Sequence, residues 1–424
     1  MPDLPDLIPL AEAQRRVFDG VEPLPVESVD LADAAGLVLA GPVRSALTVP
    51  SWTNSAMDGF AVRSEDIAAA GPGSPVVLRV LGEVPAGRAP DDEVAPGTAL
   101  RIMTGAMMPP GADVVVPVED TDAPAGASEI PAMVAILAAA RRGANVRLPG
   151  TDVVAGAALL DRGRACDPAA IALLAATGHA TVAVHRRPRV AVISTGDELV
   201  PPGQPLGPAQ IHDSNSLALA AQAADAGAEV RRLGIARDTL PALLALVREG
   251  AAWADVVVLS GGVSVGAHDH VKAAFSDLGN LDLWRVAIKP GRPFAFAQAT
   301  VDGRSVRLFG LPGNPVSVFV TFELFVRPVL RLLAGHPRPF DRPERLVRMA
   351  EPMRGSDGRM TVARVVLAPD PDRPERLVAR SSGGQDSYML GSLSAANGML
   401  FIPPDVDLPA GAEAVAWELR AHDA

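Results

Sequence analysis

The chain of 424 residues holds a single cysteine, Cys166, which excludes an internal disulfide and any metal site built on a cysteine cluster. Basic charge is not in excess: 38 lysines and arginines stand against 49 acidic residues, a formal charge of −11 that speaks against nucleic acid as a partner. Lysine itself is scarce, with only Lys272 and Lys289 beside 36 arginines. The longest apolar run, AMVAILAAA at 132–140, is far too short to span a bilayer. The opening residues, MPDLPDLIPLAEAQRRVF, lack a basic stretch followed by an apolar one, so no signal peptide is read there and a soluble, cytoplasmic protein is expected. The histidines are scattered and support no Ser–His–Asp or Cys–His arrangement.

What is present is length for two to four domains and enough hydrophobic residues, 48%, for sizeable cores. Residues 9–20 read as a short amphipathic helix. From 24 to 180 short strands alternate with Gly and Pro turns, which fits small β modules, and a helix at 168–177 opens on Asp167 and Pro168. The texture changes near 185. RPRVAVIST, EVRRLGIARD, DVVVLSGG, LWRVAI, PFAFAQA and SVRLFG read as strands, with helices at SNSLALAAQAADAG, TLPALLALVREGAAWA, DHVKAAFSDLG and a long closing helix from VSVFV to LLAG. Strands alternating with helices imply βαβ units and a parallel sheet, whose ligands bind where strands end. After HPRP at 336–339 the chain again reads as β.

Four loops of this central unit follow predicted strands. STGDEL brings Ser194, Thr195 and Gly196 beside Asp197 and Glu198. SGGVSVG offers Ser260, Gly261, Gly262 and Ser264 before a helix start, an anion cradle that is neither a P-loop nor a dinucleotide fingerprint. AIKPGRPF fixes Lys289 and Arg292 on a turn made by Pro290, Gly291 and Pro293. GLPGNPVS sets Pro312 and Gly313 ahead of a helix with Asn314 as cap and Pro315 at its first position. Each loop alone is explained by turn or cap chemistry. Together they describe a pocket for an anionic ligand, with carboxylates at Glu198, Asp238 and Asp269 that call for a bridging Mg²⁺-type cation.

The strings NSAMDGFAV, RIMTGAMMPPGADVV, RVAVISTGDELV, SGGVSVG, AIKPGRPFAF, GLPGNPVS and SLSAANGMLFIP resemble the molybdopterin molybdenumtransferase family, in order, from about residue 30 to 404. The resemblance implies a multidomain α/β plus β protein. Residues 1–45 with 148–180 would form an elongated linker domain and 46–147 an N-terminal β domain. Residues 181–336 would be a central, doubly wound α/β molybdopterin-binding domain and 337–424 a C-terminal β-barrel. It implies insertion of molybdate into adenylylated molybdopterin, Mg²⁺-dependent release of AMP, a homodimer with its active site at the interface, and transient contact with other cofactor-synthesis proteins. By position, Asp58, Asp152, Glu198, Asp238, Asp269 and Lys289 match catalytic positions, and Thr104 and Lys272 join the loop residues as substrate-binding. Three departures are visible, the first being Pro149 and Thr151 beside Asp152, where some members have Arg and Glu. Ala267-His268-Asp269-His270 stands where the family often has Glu-x-Asp-Tyr, and Asp386 stands where glycine is common. An adenylyltransferase of a neighbouring step and a non-catalytic scaffold are the competing readings.

Overall fold

A computed structural model describes residues 7–124, 126, 129–263 and 268–420, with the side chains of 268, 269, 283 and 284 left aside. In the central unit the order is β1 (Arg189–Thr195), α1 (Asn215–Asp225), β2 (Glu229–Ala236), α2 (Leu240–Trp253), β3 (Val256–Ser260), α3 (His268–Leu278), β4 (Gly279–Val286), β5 (Pro293–Val301) and β6 (Arg304–Leu311). A last helix, α4, runs over 315–333. The strands form one sheet in the order β4–β5–β6–β3–β1–β2, with Leu7–Ile8 added parallel to β4 at the edge. Val190 to Thr195 and all of β3 are buried, as strands covered by helices on both faces must be. One face packs on α1, α4 and the N-terminal helix Leu10–Phe18; the other packs on α2 and α3.

The chain leaves β1 for β2 on one side and returns to β3 on the other, so the order reverses beside β1. Loops diverge there and open a crevice at the carboxyl ends. The expected parallel arrangement holds for β2, β1, β3 and β6. β5 runs the other way because only Asp302 and Gly303 join it to β6. With φ of 51° and 74°, these two residues make a hairpin and leave no room for a crossover.

The long closing helix contains a π turn at Phe322–Val326. Pro328 has no N–H to give the carbonyl of Leu324, and Gln14 Nε2 donates to that carbonyl at 3.2 Å instead. The same turn buries Glu323, which accepts from Arg342 Nε at 2.9 Å, while Arg327 pairs with Asp225 at 2.7 Å and Asp341 at 3.0 Å. These ion pairs tie α1 and α4 to the segment entering the C-terminal unit.

Val26–Asp30, Thr181–His185 and Val38–Leu39 form a small sheet, and Val43–Arg44 pairs with Ala158–Leu160. Helix Pro168–Ala176 begins as read from the sequence, with Asp167 Oδ1 accepting from the Ala170 amide at 2.8 Å. A five-stranded sheet contains Gly59–Val62, Val76–Val84, Thr98–Ile102, Val114–Pro117 and Met133–Ile136. At the C-terminal end, Met360–Asp370 pairs with both Arg373–Ser381 and Gly398–Ile402. That double pairing closes these strands, with Glu344–Met349 and Glu413–Glu418, into a five-stranded barrel. Ile288–Lys289 adds to it from the central unit, parallel to Met360 and Thr361. Among the described residues no helix is long and apolar enough to cross a membrane.

Candidate active site at the sheet switch point

A cavity of about 710 Å³ opens where β1, β3 and β6 end. Its walls include Thr195, Gly196 and Glu198 after β1, Asp238 after β2, Ser260, Gly261 and Gly262 after β3, and Pro312 to Pro315 after β6. Three of the four loops singled out in the sequence thus meet in one place. The fourth contributes Pro293, at the start of the antiparallel β5.

Glycine is required at two of these bends. Gly261 has φ of +91°, and a Cβ there would stand 2.6 Å from the Thr195 carbonyl oxygen. Gly196 has φ of +150°, and its missing side chain leaves room for the Glu198 carboxylate, which would lie 2.5 Å from a Cβ. Thr195 Oγ1 donates to Asp238 Oδ1 at 2.8 Å, and the Asp238 amide donates to Asp197 Oδ1 at 3.3 Å. Buried Ser194 lies beneath the floor and donates to Asp213 Oδ1 at 2.9 Å. A smaller cleft of about 190 Å³ shares Thr195, Asp238 and Gly262 and adds Arg237 and His270.

Asn314 does not cap α4 with its side chain. Its Nδ2 donates instead to Ser387 Oγ at 2.7 Å, and the Val316 amide donates to the Ser387 carbonyl at 3.0 Å. The competing acceptor comes from the C-terminal barrel, which local sequence cannot reveal. Pro315 has no N–H and that of Val316 is taken, so the helix start is less open to an anion than its sequence implies.

The remaining sequence candidates lie elsewhere. Asp58 accepts from the Thr104 amide at 2.6 Å and Thr104 Oγ1 at 2.7 Å, and these bonds, with Arg101 nearby, hold its carboxyl below the usual range. The Asp58 carboxylate borders a separate cavity of about 580 Å³ in the five-stranded unit. Asp152 is exposed in a turn whose amide donates to Val49 at 3.2 Å. Lys289 and Arg292 are exposed on either side of buried Pro290 and Gly291, and neither is among the residues that line the cavity. β2 and β4 are five strand spacings apart, about 24 Å, so Asp238 and Lys289 flank opposite ends of the row. Lys272 is exposed on α3 and lines neither the cavity nor the cleft. Ser264 and the Asp269 side chain are outside the described residues, and among those described no group of three or more His, Cys, Asp or Glu could hold a metal.

Several residues were not singled out. Asp213 also accepts from the Ser216 amide at 3.1 Å, and Asn215 Nδ2 spans Ser260 Oγ at 2.8 Å and the Gly313 carbonyl at 2.7 Å. The polar run HDSNS before α1 was their available signal. Tyr388 and Leu390 reach the cavity from the barrel. Arg364, fully buried, donates through Nη2 to the Gly384 carbonyl at 2.7 Å and the Asp386 carbonyl at 3.2 Å, while its Nε and Nη1 have no partner among the described residues.

Models of the MoeA N-terminal region (domain I and II), a probable molybdopterin binding domain and the MoeA C-terminal region (domain IV) match residues 8–178, 191–332 and 347–419. Over 415 residues the chain is 41% identical to molybdopterin molybdenumtransferase 2 of Mycobacterium tuberculosis, covering 96% of this chain and 98% of that protein. The chain belongs to the molybdopterin molybdenumtransferase family. It is also 46% identical over 310 residues to the molybdopterin molybdenumtransferase of Nostoc, covering 73% and 70% of the two chains. A molybdopterin biosynthesis MoeA protein from Pyrococcus horikoshii superposes with a TM-score of 0.77 at 27% identity, over 97% of this chain and all of that one. The central α/β unit and the closed C-terminal barrel are therefore those of the molybdenumtransferase family.

Proposed function

We propose that this chain is an enzyme of molybdenum cofactor biosynthesis that inserts molybdate into adenylylated molybdopterin and releases AMP with the help of Mg²⁺. The observation that carries this reading is the switch-point cavity. Its glycine-rich strand ends suit a phosphate-bearing ligand, and Glu198 and Asp238 share its wall with Asp213, whose Oδ1 is taken by Ser194 and the Ser216 amide. Carboxylates so placed would repel a pyrophosphate unless a hard cation stood between them. Mg²⁺ takes one or two carboxylates and completes its shell with phosphate oxygens and water, so this pair fits it. Glu198 and Asp238 would hold the ion, joined by Asp269, and the ion would neutralise charge on the phosphates.

Within this reading Thr195, Gly196, Ser260, Gly261, Gly262, Ser264 and the residues Pro312 to Pro315 bind and orient the phosphates and the pterin, and buried Ser194 supports them from beneath through Asp213. Lys289, Arg292 and Lys272 supply cations for the oxyanion around the Pro290–Gly291 turn.

Asp58, which accepts two hydrogen bonds from Thr104, lines a different cavity, and within one chain neither residue borders the switch point. A homodimer in which one subunit's five-stranded unit covers the other's cavity would unite them, and Asp152 with them. The four-unit division and a cytoplasmic location belong to the same reading. The test is to incubate the purified chain with molybdopterin, ATP and Mg²⁺, and separately with adenylylated molybdopterin. Tight binding of the adenylylated compound without ATP-dependent adenylylation is expected. Adenylylation by this chain would assign it to the neighbouring step.

A further inference from the structure

Tyr388 is the only tyrosine in the chain, and it stands on the cavity wall with 64% of its surface exposed. No Phe or Trp accompanies it among the described lining residues. Its ring has no aromatic or hydrogen-bonding partner among the described residues, while the backbone on either side is fixed. Before it, Gln385 Oε1 accepts from the Arg364 amide at 2.9 Å and its Nε2 donates to the Arg364 carbonyl at 2.9 Å. Ser392 Oγ donates to the Gly384 carbonyl at 2.7 Å. Immediately ahead of Tyr388, Ser387 is held by Asn314 and Val316 as described above. Behind it, the Met389 amide donates to the Asp386 carbonyl at 3.2 Å. An exposed aromatic ring on an immobilised loop is a preorganised platform, because ordering it costs little when a ligand arrives.

We propose that the 384–390 loop of the barrel is a specificity element of the site and that Tyr388 stacks on a planar heteroaromatic ring of the ligand. This inference rests on the proposed reading, which supplies two such rings, a pterin and an adenine. Stacking needs no hydrogen-bond code, so the loop selects for a flat ring rather than for one set of ring substituents. The Ser387 contacts make this platform part of the cavity rather than of the barrel surface, since they join it to the start of α4.

The single tyrosine gives the test its readout. The full chain labelled with 3-fluorotyrosine carries one ¹⁹F resonance, to be followed while AMP or pterin-6-carboxylate is added and binding is measured by calorimetry. Saturation with one of the two should move the resonance, and the responding compound identifies the ring that stacks. Tyr388→Ala should weaken that compound about tenfold, within the usual range for losing one stacked ring, while Tyr388→Phe retains it. Pyrophosphate, which has no ring, should bind both variants equally. The proposal is overturned if either compound binds while the resonance stays in place and Tyr388→Ala binds it as well as the parent does. Binding of neither compound overturns the proposed function and this inference with it.

Discussion

Thr195 and Asp238 join the ends of β1 and β2 across the point where the sheet order reverses, with Thr195 Oγ1 donating to Asp238 Oδ1 at 2.8 Å. The bond holds one carboxylate oxygen, turning the group so that it is presented to the cavity in one orientation. Hydrogen bonds to charged groups contribute about 1.5–3 kcal/mol, so losing this one should weaken Mg²⁺-dependent AMP binding about tenfold. Thr195→Val is expected to show that loss in calorimetry and Thr195→Ser to avoid it. An equal loss without Mg²⁺ would show that Thr195 acts on the nucleotide itself rather than through Asp238.

Gly261 is the bend on which the SGG loop depends. Alanine there would force a Cβ to 2.6 Å from a backbone oxygen at a φ of +91°. Strain of this kind costs about 1–3 kcal/mol, and here the backbone must also move. Gly261→Ala should lower the denaturation midpoint and weaken AMP binding. Gly303→Ala, at a hairpin with open space around it, should leave AMP binding unchanged.

The Asp58–Thr104 pair has a pH signature. Because the folded carboxyl titrates below its ordinary value of about 3.9, the stabilisation is complete above that pH and is lost as pH falls through the lower folded value. Thr104→Val removes the hydroxyl bond and should raise the Asp58 titration toward the ordinary value while leaving it lowered by the amide. Carboxyl-carbon NMR of labelled protein measures the shift. Identical titration in both proteins would show that the hydroxyl contributes nothing.

Much of this was legible in the sequence, and the rest was not for identifiable reasons. The β1, β3 and β6 loops were readable because a Gly or Pro turn after an apolar run leaves few alternatives for the backbone. Asp167 was readable as a cap because cap and helix are neighbours in the chain. Asn314 holds the N-cap position read from the sequence, but its side chain does not cap, because its partner, Ser387, lies 73 positions away in another unit. Asp213 and Asn215 escaped notice for a related reason, since their roles depend on Ser194, Ser260 and Gly313 being brought to them by the sheet. The reversed direction of β5 was present in Asp302-Gly303, a two-residue turn hidden in a run otherwise read as two strands.

Glu323 is 1% exposed and depends on Arg342 and Gln222 for its hydrogen bonds, with Arg327 farther off at 3.9 Å. Removing Arg342 leaves a buried charge undercompensated, at a cost of about 3–5 kcal/mol. Arg342→Met should therefore destabilise the protein strongly in urea, and the double change with Glu323→Leu should restore most of the loss. A double variant no better than the single would mean that Arg342 acts chiefly through its other partners, the Leu419 carbonyl at 3.1 Å and Asp225 at 3.2 Å.

The most direct test is the balance of products in a single turnover. The purified chain is supplied with adenylylated molybdopterin, Mg²⁺ and molybdate, AMP is quantified, and the cofactor formed is counted by activation of an apo-molybdoenzyme. AMP and active cofactor should rise together, depend on molybdate and Mg²⁺, and fall together in Asp238→Asn. AMP release that ignores molybdate, or cofactor formation unaffected by Asp238→Asn, would contradict a transfer reaction centred on the switch-point cavity.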